Sequence, residues 1–237
     1  MVEKHTLQSV PGSLSLGEAR PTAGASALLV GDPVYNSADP RAVGNPPVPE
    51  SGQLNRLPAS GEEIRASAAA NAGARAVVLD GTTARRGQFL QALSSKPSLI
   101  HLATHVMTSG NTALIAFGLG GDGRPELLTS AEVATLDVPG ALVVMTGCAS
   151  GTGEISDGAG LQGLTRAWMT AGAAQVIATL WPVPDRGSDL MPAFYRNRKR
   201  ASPAEALRRS QVQMISSGTW QALPSHWAAF QVSGGIR

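Results

Sequence analysis

Five short apolar runs recur along this chain, at Ala27 to Val30, Arg75 to Leu79, Ser98 to Thr104, Ala141 to Met145 and Gln175 to Leu180. A strand with one wet face alternates apolar and polar residues, so runs that stay apolar at consecutive positions read as strands covered on both faces. Helical signals lie between them. Ser60 followed by Glu63 has the form of a capping box opening a helix to about Ala72, with Gly73 as its stop signal. Thr83 to Ser94 and Leu161 to Ala171 read as helices, Ala113 to Phe117 as a strand or hairpin arm, and Thr129-x-x-Glu132 as a second capping box. Two helices follow near Ser188 to Asn197 and Ser202 to Ser216, the latter with Pro203 in its first turn, and Ala228 to Val232 reads as a last strand. Buried strands separated by helices dictate an α/β sandwich, with a mostly parallel central sheet and helices on both faces.

At 237 residues and 43% hydrophobic, the chain has the material for one substantial core. Residues 1–24 are rich in Pro, Gly and Ser and read as a loop-rich N-terminal segment, followed by a folded domain over 25–237. The stretch from Asn36 to Gly52, with Pro40, Pro46, Pro47 and Pro49, reads as a second loop. Net charge is only +2, and the one dense basic cluster, Arg196, Arg198, Lys199 and Arg200, falls at a helix end without interleaved aromatics. Cations there complement the helix dipole, so no nucleic-acid contact is predicted. No run approaches the roughly 18 apolar residues that span a bilayer, and Met1 to His5 lead into no apolar leader, so the chain reads as cytoplasmic with no membrane partner. A single cysteine cannot form an internal disulfide, which fits a reducing compartment and leaves a free thiol to explain.

In open α/β sheets the functional crevice lies beyond the carboxyl ends of the strands. The run Leu99-Ile100-His101-Leu102-Ala103-Thr104 delivers His105 to that edge, and Ala141-Leu142-Val143-Val144-Met145-Thr146-Gly147 delivers Cys148 to it. On neighbouring strands, about 4.8 Å apart, imidazole and thiol can meet. A thiol with a pKa near about 8.5 is only slightly ionised at neutral pH, and an adjacent imidazole raises its reactivity as general base and acid. Spacing alone leaves a second reading open, in which Cys148 is a small buried hydrophobe and His105 is structural.

The words around these residues carry more. Leu99 to His105 and Val143-Val144-Met145-Thr146-Gly147-Cys148-Ala149-Ser150-Gly151-Thr152-Gly153 resemble the two catalytic blocks of CHAT domains, relatives of caspases and separases. The resemblance continues through Gly158 to Trp168, Ala171-Gly172-Ala173, Thr179 to Asp185, Leu190 to Tyr195 and His226 to Phe230. Upstream it includes Leu28 to Pro33 and Leu57 to Ile64, so it covers roughly residues 25–235. It implies a caspase-like sandwich and a cysteine endopeptidase acting on a protein or peptide, with His105 and Cys148 as the catalytic pair. It also implies an oxyanion hole built from the backbone N–H groups of Val106 and Cys148, and no metal or organic cofactor. Asp32, Asp157, Trp181 and Asp185 become candidates for substrate binding. Asp32 lies where caspase-like enzymes reach the residue before the cut, and a carboxylate there favours Lys or Arg, while the alternative is that it stabilises a Gly-Asp-Pro turn.

Three departures from the family pattern stand out. Val106 replaces the usual Gly after the histidine, Gly158-Ala159-Gly160 replaces Gly-Glu-Gly, and the strand and helix that usually open the domain are missing. They motivate an alternative function, a catalytically inactive CHAT-like regulatory or protein-interaction module. Many such domains follow helical TPR repeats, so a TPR region or partner is expected and the chain reads as a possible remnant of a longer domain. His101 and His105 share the spacing of a zinc helix but lack the Glu of His-Glu-x-x-His and lie in a strand pattern, which argues against a metal and for a core histidine at His101. Gly118-x-Gly-x-x-Gly123 and Gly158-x-Gly-x-x-Gly163 match the dinucleotide pattern without its strand-to-helix setting.

Overall fold

The computed structural model describes residues 1–10, 26–42, 54–71, 75–110, 112–146, 159–186 and 188–235, with backbone alone for 159–162. Five strands, β1 (Ser26–Pro33), β2 (Arg75–Gly81), β3 (Leu99–Ala103), β7 (Leu142–Met145) and β8 (Gln175–Thr179), pair in parallel in the order β2-β1-β3-β7-β8. β9 (Phe230–Gly234) closes that sheet antiparallel to β8. A second sheet, three-stranded and antiparallel, is formed by β4 (Val106–Ser109), β5 (Thr112–Leu119) and β6 (Pro125–Thr129). Only the middle strand of this second sheet is apolar enough to be read from the sequence.

Both faces of β1, β3, β7 and β8 are covered, as their uninterrupted apolar runs require, whereas β2, at the sheet edge, is exposed at Arg75, Ala76 and Val77 despite its apolar run. Leu29, Leu99, Ala103 and Val144 pack toward α1 (Pro58–Ala70), α5 (Leu190–Arg198) and α6 (Pro203–Ile215), where Ile64, Phe194 and Leu207 complete one half of the core. On the other face Ile100, Leu102, Val143 and Met145 meet Phe89 of α2 (Arg86–Leu93), Val133 of α3 (Ser130–Val133) and Trp168 of α4 (Ala159–Thr170). The architecture is thus the helix-covered, mostly parallel sandwich that the sequence predicts.

Helix starts show where local signals hold and where they yield. Thr129 and Glu132 form the expected capping box at α3, each side chain accepting from the other residue's backbone N–H. Ser202 caps α6, and Pro203 takes its first turn. The capping box predicted at Ser60 and Glu63 does not form, because α1 begins at Pro58 and its cap residue Leu57 makes no side-chain cap bond. Ser60 is buried in the first turn, where its hydroxyl accepts the backbone N–H of Asp32 and donates to the carbonyl of Leu57. Glu63 is thereby left to another task.

The N-terminal segment is tied to the far edge of the sheet. Ser9 bridges Ser233, with its N–H on the Val232 carbonyl, and Thr6 Oγ1 donates to Glu205 on α6. No helix among the described residues is long and apolar enough to cross a membrane.

Candidate active site

β3 and β7 are hydrogen-bonded neighbours, with His101 opposite Val144 and Leu102 opposite Met145. His105 lies two residues beyond the end of β3 and Cys148 three beyond the end of β7. The chain advances at most about 3.6 Å per residue, so both residues start from one short stretch of the sheet's carboxyl edge. Cys148 and Asp157 themselves lie outside the described residues.

His105 is fully buried and its orientation is set by two chain segments. Its Nε2 is 2.7 Å from the carbonyl oxygen of Asn55, just ahead of α1. A carbonyl only accepts, so Nε2 carries the proton and Nδ1 is the basic nitrogen of the neutral ring. The Tyr35 ring lies 4.8 Å away by centroids, and its hydroxyl accepts the backbone N–H of His105 at 3.0 Å. Burial pushes the Tyr35 phenol far above its ordinary range, so this group is a neutral hydrogen-bonding partner at any pH the protein meets.

Val106 opens β4 directly after His105. Ala116 donates its N–H to the His105 carbonyl, and hydrogen-bonded and non-bonded pairs alternate along an antiparallel ladder. Val106, opposite Ile115, therefore falls on a non-bonded position with its N–H turned away from β5. Its side chain is buried with Ile115 and Phe117 in the core.

A cavity of about 570 Å³, its open mouth included, lies at the same edge of the sheet. Its walls include Ala103 and Thr146 from the ends of β3 and β7, Ser60 and Glu63 from α1, Asp185 from the segment after β8 and Met191 from α5. Asp185 accepts the N–H of Ala59 at 3.3 Å. Partial burial, then the nearby charges of Glu63 and Asp32, raise its carboxyl above the ordinary range against the pull of the backbone N–H groups of Ala59 and Ser60. Trp181 is exposed at 41% just beyond β8 and is not among the residues lining this cavity.

Asp32, the last residue but one of β1, has a left-handed φ of 46°, which Asp tolerates better than most residues. Its carboxylate is buried and accepts four guanidinium N–H bonds, two from Arg41 at 2.8 and 3.0 Å and two from Arg56 at 2.9 and 2.8 Å. A substrate cation would reach this carboxylate only by displacing a guanidinium. Asp39 holds the other side of Arg41, so the four side chains form one neutral network.

His101 is the core histidine that its strand position predicts. It is fully buried, and its Nε2 lies 3.1 Å from both Glu63 Oε1 and Thr146 Oγ1, while the Thr146 hydroxyl donates to the same Glu63 oxygen at 2.5 Å. Its ring faces α1 and Tyr195, whereas His105 faces Asn55 and Tyr35, so the two imidazoles do not converge. Sequence reasoning missed Glu63 as a site residue because the capping-box pattern offered a complete local account of it.

The CHAT domain sequence model matches residues 1–235. The chain belongs to the CHAT domain family. It is similar to tetratricopeptide repeat protein 28 of mouse, at 28% identity over 99% of this chain, and to the human protein of that name, at 34% identity over 46% of it. It spans 11% and 4% of the length of those relatives. Among solved structures it resembles the Arg-specific cysteine proteinase gingipain R, at a TM-score of 0.50 and 13% identity, over 89% of this chain and 46% of that one. A complex of the pro- and mature domains of RgpB from Porphyromonas gingivalis matches equally well, at 14% identity. These likenesses establish a caspase-like fold for this CHAT domain.

Proposed function

We propose that this CHAT domain is a cysteine endopeptidase in which His105 serves Cys148. The observation that carries the reading is the parallel pairing of β3 with β7, which starts both residues from adjacent strand ends. The fixed tautomer of His105 supports it. With Nε2–H committed to Asn55, Nδ1 is the nitrogen able to take the thiol proton.

In the first half-reaction the Cys148 proton passes to His105 Nδ1 and the sulfur attacks the peptide carbonyl carbon. The oxyanion of the tetrahedral intermediate is received by the backbone N–H groups of Val106 and Cys148, the former already turned out of the β4–β5 ladder. Collapse breaks the C–N bond as His105 returns its proton to the leaving amine, giving a thioester. Water, deprotonated by His105, then attacks the thioester and releases the acid and the thiol. Each step moves its proton through one imidazole, and no metal or organic cofactor enters. Asp185 at the cavity wall, with Trp181 and Asp157, serves substrate binding in this account, while Asp32 acts through its arginine network. The TPR-named relatives support a TPR region as regulator or partner.

Digestion of a peptide library tests the reading. The protein is expected to cut it, Cys148→Ala and His105→Ala each to abolish cutting with the fold retained, and the double variant to be no worse than either single one, because members of one catalytic unit behave non-additively. Cutting by Cys148→Ala would overturn the assignment.

A further inference from the structure

Three long-range contacts converge on Thr146, two residues before Cys148. Thr146 donates its hydroxyl proton to Glu63 Oε1, 83 residues away in sequence, and its oxygen lies 3.1 Å from His101 Nε2, which also reaches the same carboxylate oxygen. The Thr146 backbone N–H is held by the Leu102 carbonyl. The hydroxyl comes from the residue directly after β7, the imidazole from β3 and the carboxylate from α1, so the cluster joins the two strand ends of the candidate active site to the helix that covers them.

Chemistry defines how the protons sit. The Thr146 O–H is used on Glu63, so the Thr146 oxygen is left to accept, and the His101 N–H on Nε2 is shared between it and the carboxylate. His101 Nδ1 is buried without a partner among the described residues, so the hydrogen bonds of the ring run through Nε2. The Glu63 side chain is only 13% exposed, so its bonds compete with little water. Its solvent-facing part forms the wall of the cavity that the substrate would enter.

We propose that Glu63 is a positioning residue for the nucleophile, acting through Thr146 with His101 as its support. By fixing the Thr146 side chain and backbone together, it sets the direction in which the chain leaves β7 toward Gly147 and Cys148. The proposal rests on the Cys148–His105 reading but concerns the placement of the thiol rather than the peptidase step. Loss of the cluster is expected to leave Cys148 present, accessible and slower. Glu63 contacts the His101 imidazole and the Thr146 hydroxyl and acts through Thr146, which makes it a positioning residue rather than a catalytic one.

The test is the second-order rate of iodoacetamide alkylation of Cys148 across pH, followed by intact mass, in the protein and in Glu63→Gln, Glu63→Ala, Thr146→Ser, Thr146→Val and His105→Ala. Gln keeps an oxygen that accepts both bonds, and Ser keeps the hydroxyl, so these two variants are expected within about threefold of the protein. Ala at Glu63 and Val at Thr146 are expected to slow alkylation by about tenfold or more, in the range that small misplacements of reacting groups cost, and to move the midpoint of the pH profile upward. A merely structural role would lower the unfolding temperature without moving that midpoint. Unchanged rate and midpoint in folded Glu63→Ala and Thr146→Val overturn the proposal. If Glu63→Ala does not fold, the Thr146→Ser and Thr146→Val pair decides alone. His105→Ala separates the two ideas: a profile unmoved by His105→Ala removes the dyad, whatever Glu63 does.

Discussion

Tyr35→Phe is the variant whose effect is most fully set by the structure. The phenol hydroxyl accepts the backbone N–H of His105 at 3.0 Å, and the residues at both ends of this bond are fully buried. Its second bond, to the Ala116 carbonyl at 3.5 Å, is at the limit of hydrogen bonding and contributes little. Phe preserves the ring and its packing on the imidazole, so the change removes one acceptor and little else. A buried donor left unsatisfied costs about 1–3 kcal/mol. For a domain of this size each kcal/mol lowers the midpoint of thermal unfolding by about 2–4 °C, so a fall of about 2–12 °C is expected by calorimetry or circular dichroism. The backbone at His105 would relax toward another acceptor, so alkylation of Cys148 should slow as well. A Tyr35→Phe protein with unchanged melting and unchanged thiol reactivity would refute the claim that this bond anchors His105.

Three further outcomes follow from other contacts. Gly31→Ala would place a Cβ 2.8 Å from the Ser60 carbonyl oxygen and 3.0 Å from Ile64, forcing α1 off β1, with an expected loss of about 1–3 kcal/mol by denaturant titration. The Asp185 carboxyl is raised above the ordinary range, so it opposes folding once ionised: its contribution is most favourable below the unfolded value and is lost as pH rises through the folded one. Asp185→Asn keeps an acceptor for Ala59 and should match or exceed the protein's stability at pH 7 by less than about 1 kcal/mol, with the difference closing toward acid pH in melting curves. Glu205 behaves oppositely, since Arg208, Thr6 and Arg209 hold its carboxyl well below the ordinary range. Its stabilisation is present above that range and lost as pH falls through it, so Glu205→Gln should cost less than about 1 kcal/mol at pH 7 and nothing in strong acid.

How much of this was legible in the sequence depends on the distance over which each feature is decided. The inner strands of the large sheet were readable because burial on both faces writes itself as consecutive apolar residues, as in Leu142-Val143-Val144-Met145. β4 and β6 were not, since Val106-Met107-Thr108-Ser109 and Pro125 to Thr129 mix polar and apolar residues and become strands only beside β5. The end of β3 gave His105, but its partners Asn55 and Tyr35 are fixed by loops 50 and 70 residues away. The same holds for Asp32, whose carboxylate is claimed by Arg41 and Arg56 across chain segments that no local pattern connects. At Ser60 and Glu63 a correct local rule lost to tertiary demand, because Asp32 and Thr146 offered these side chains buried partners. Val106, which breaks the family's glycine habit, is accommodated because its side chain lies in the core and its N–H on the other side of the ladder.

The central claim, that Cys148 and His105 work as one unit, is tested most directly by covalent trapping. The protein is incubated with peptidyl acyloxymethyl ketones carrying varied side chains before the warhead, and the adduct is mapped by peptide mass spectrometry in the protein and in His105→Ala. A single thioether on Cys148 is expected, formed with at least one of the peptides and lost or strongly slowed in His105→Ala while iodoacetamide still alkylates the thiol. Equal trapping with and without His105, or none at all from a folded protein with an accessible Cys148, would contradict it.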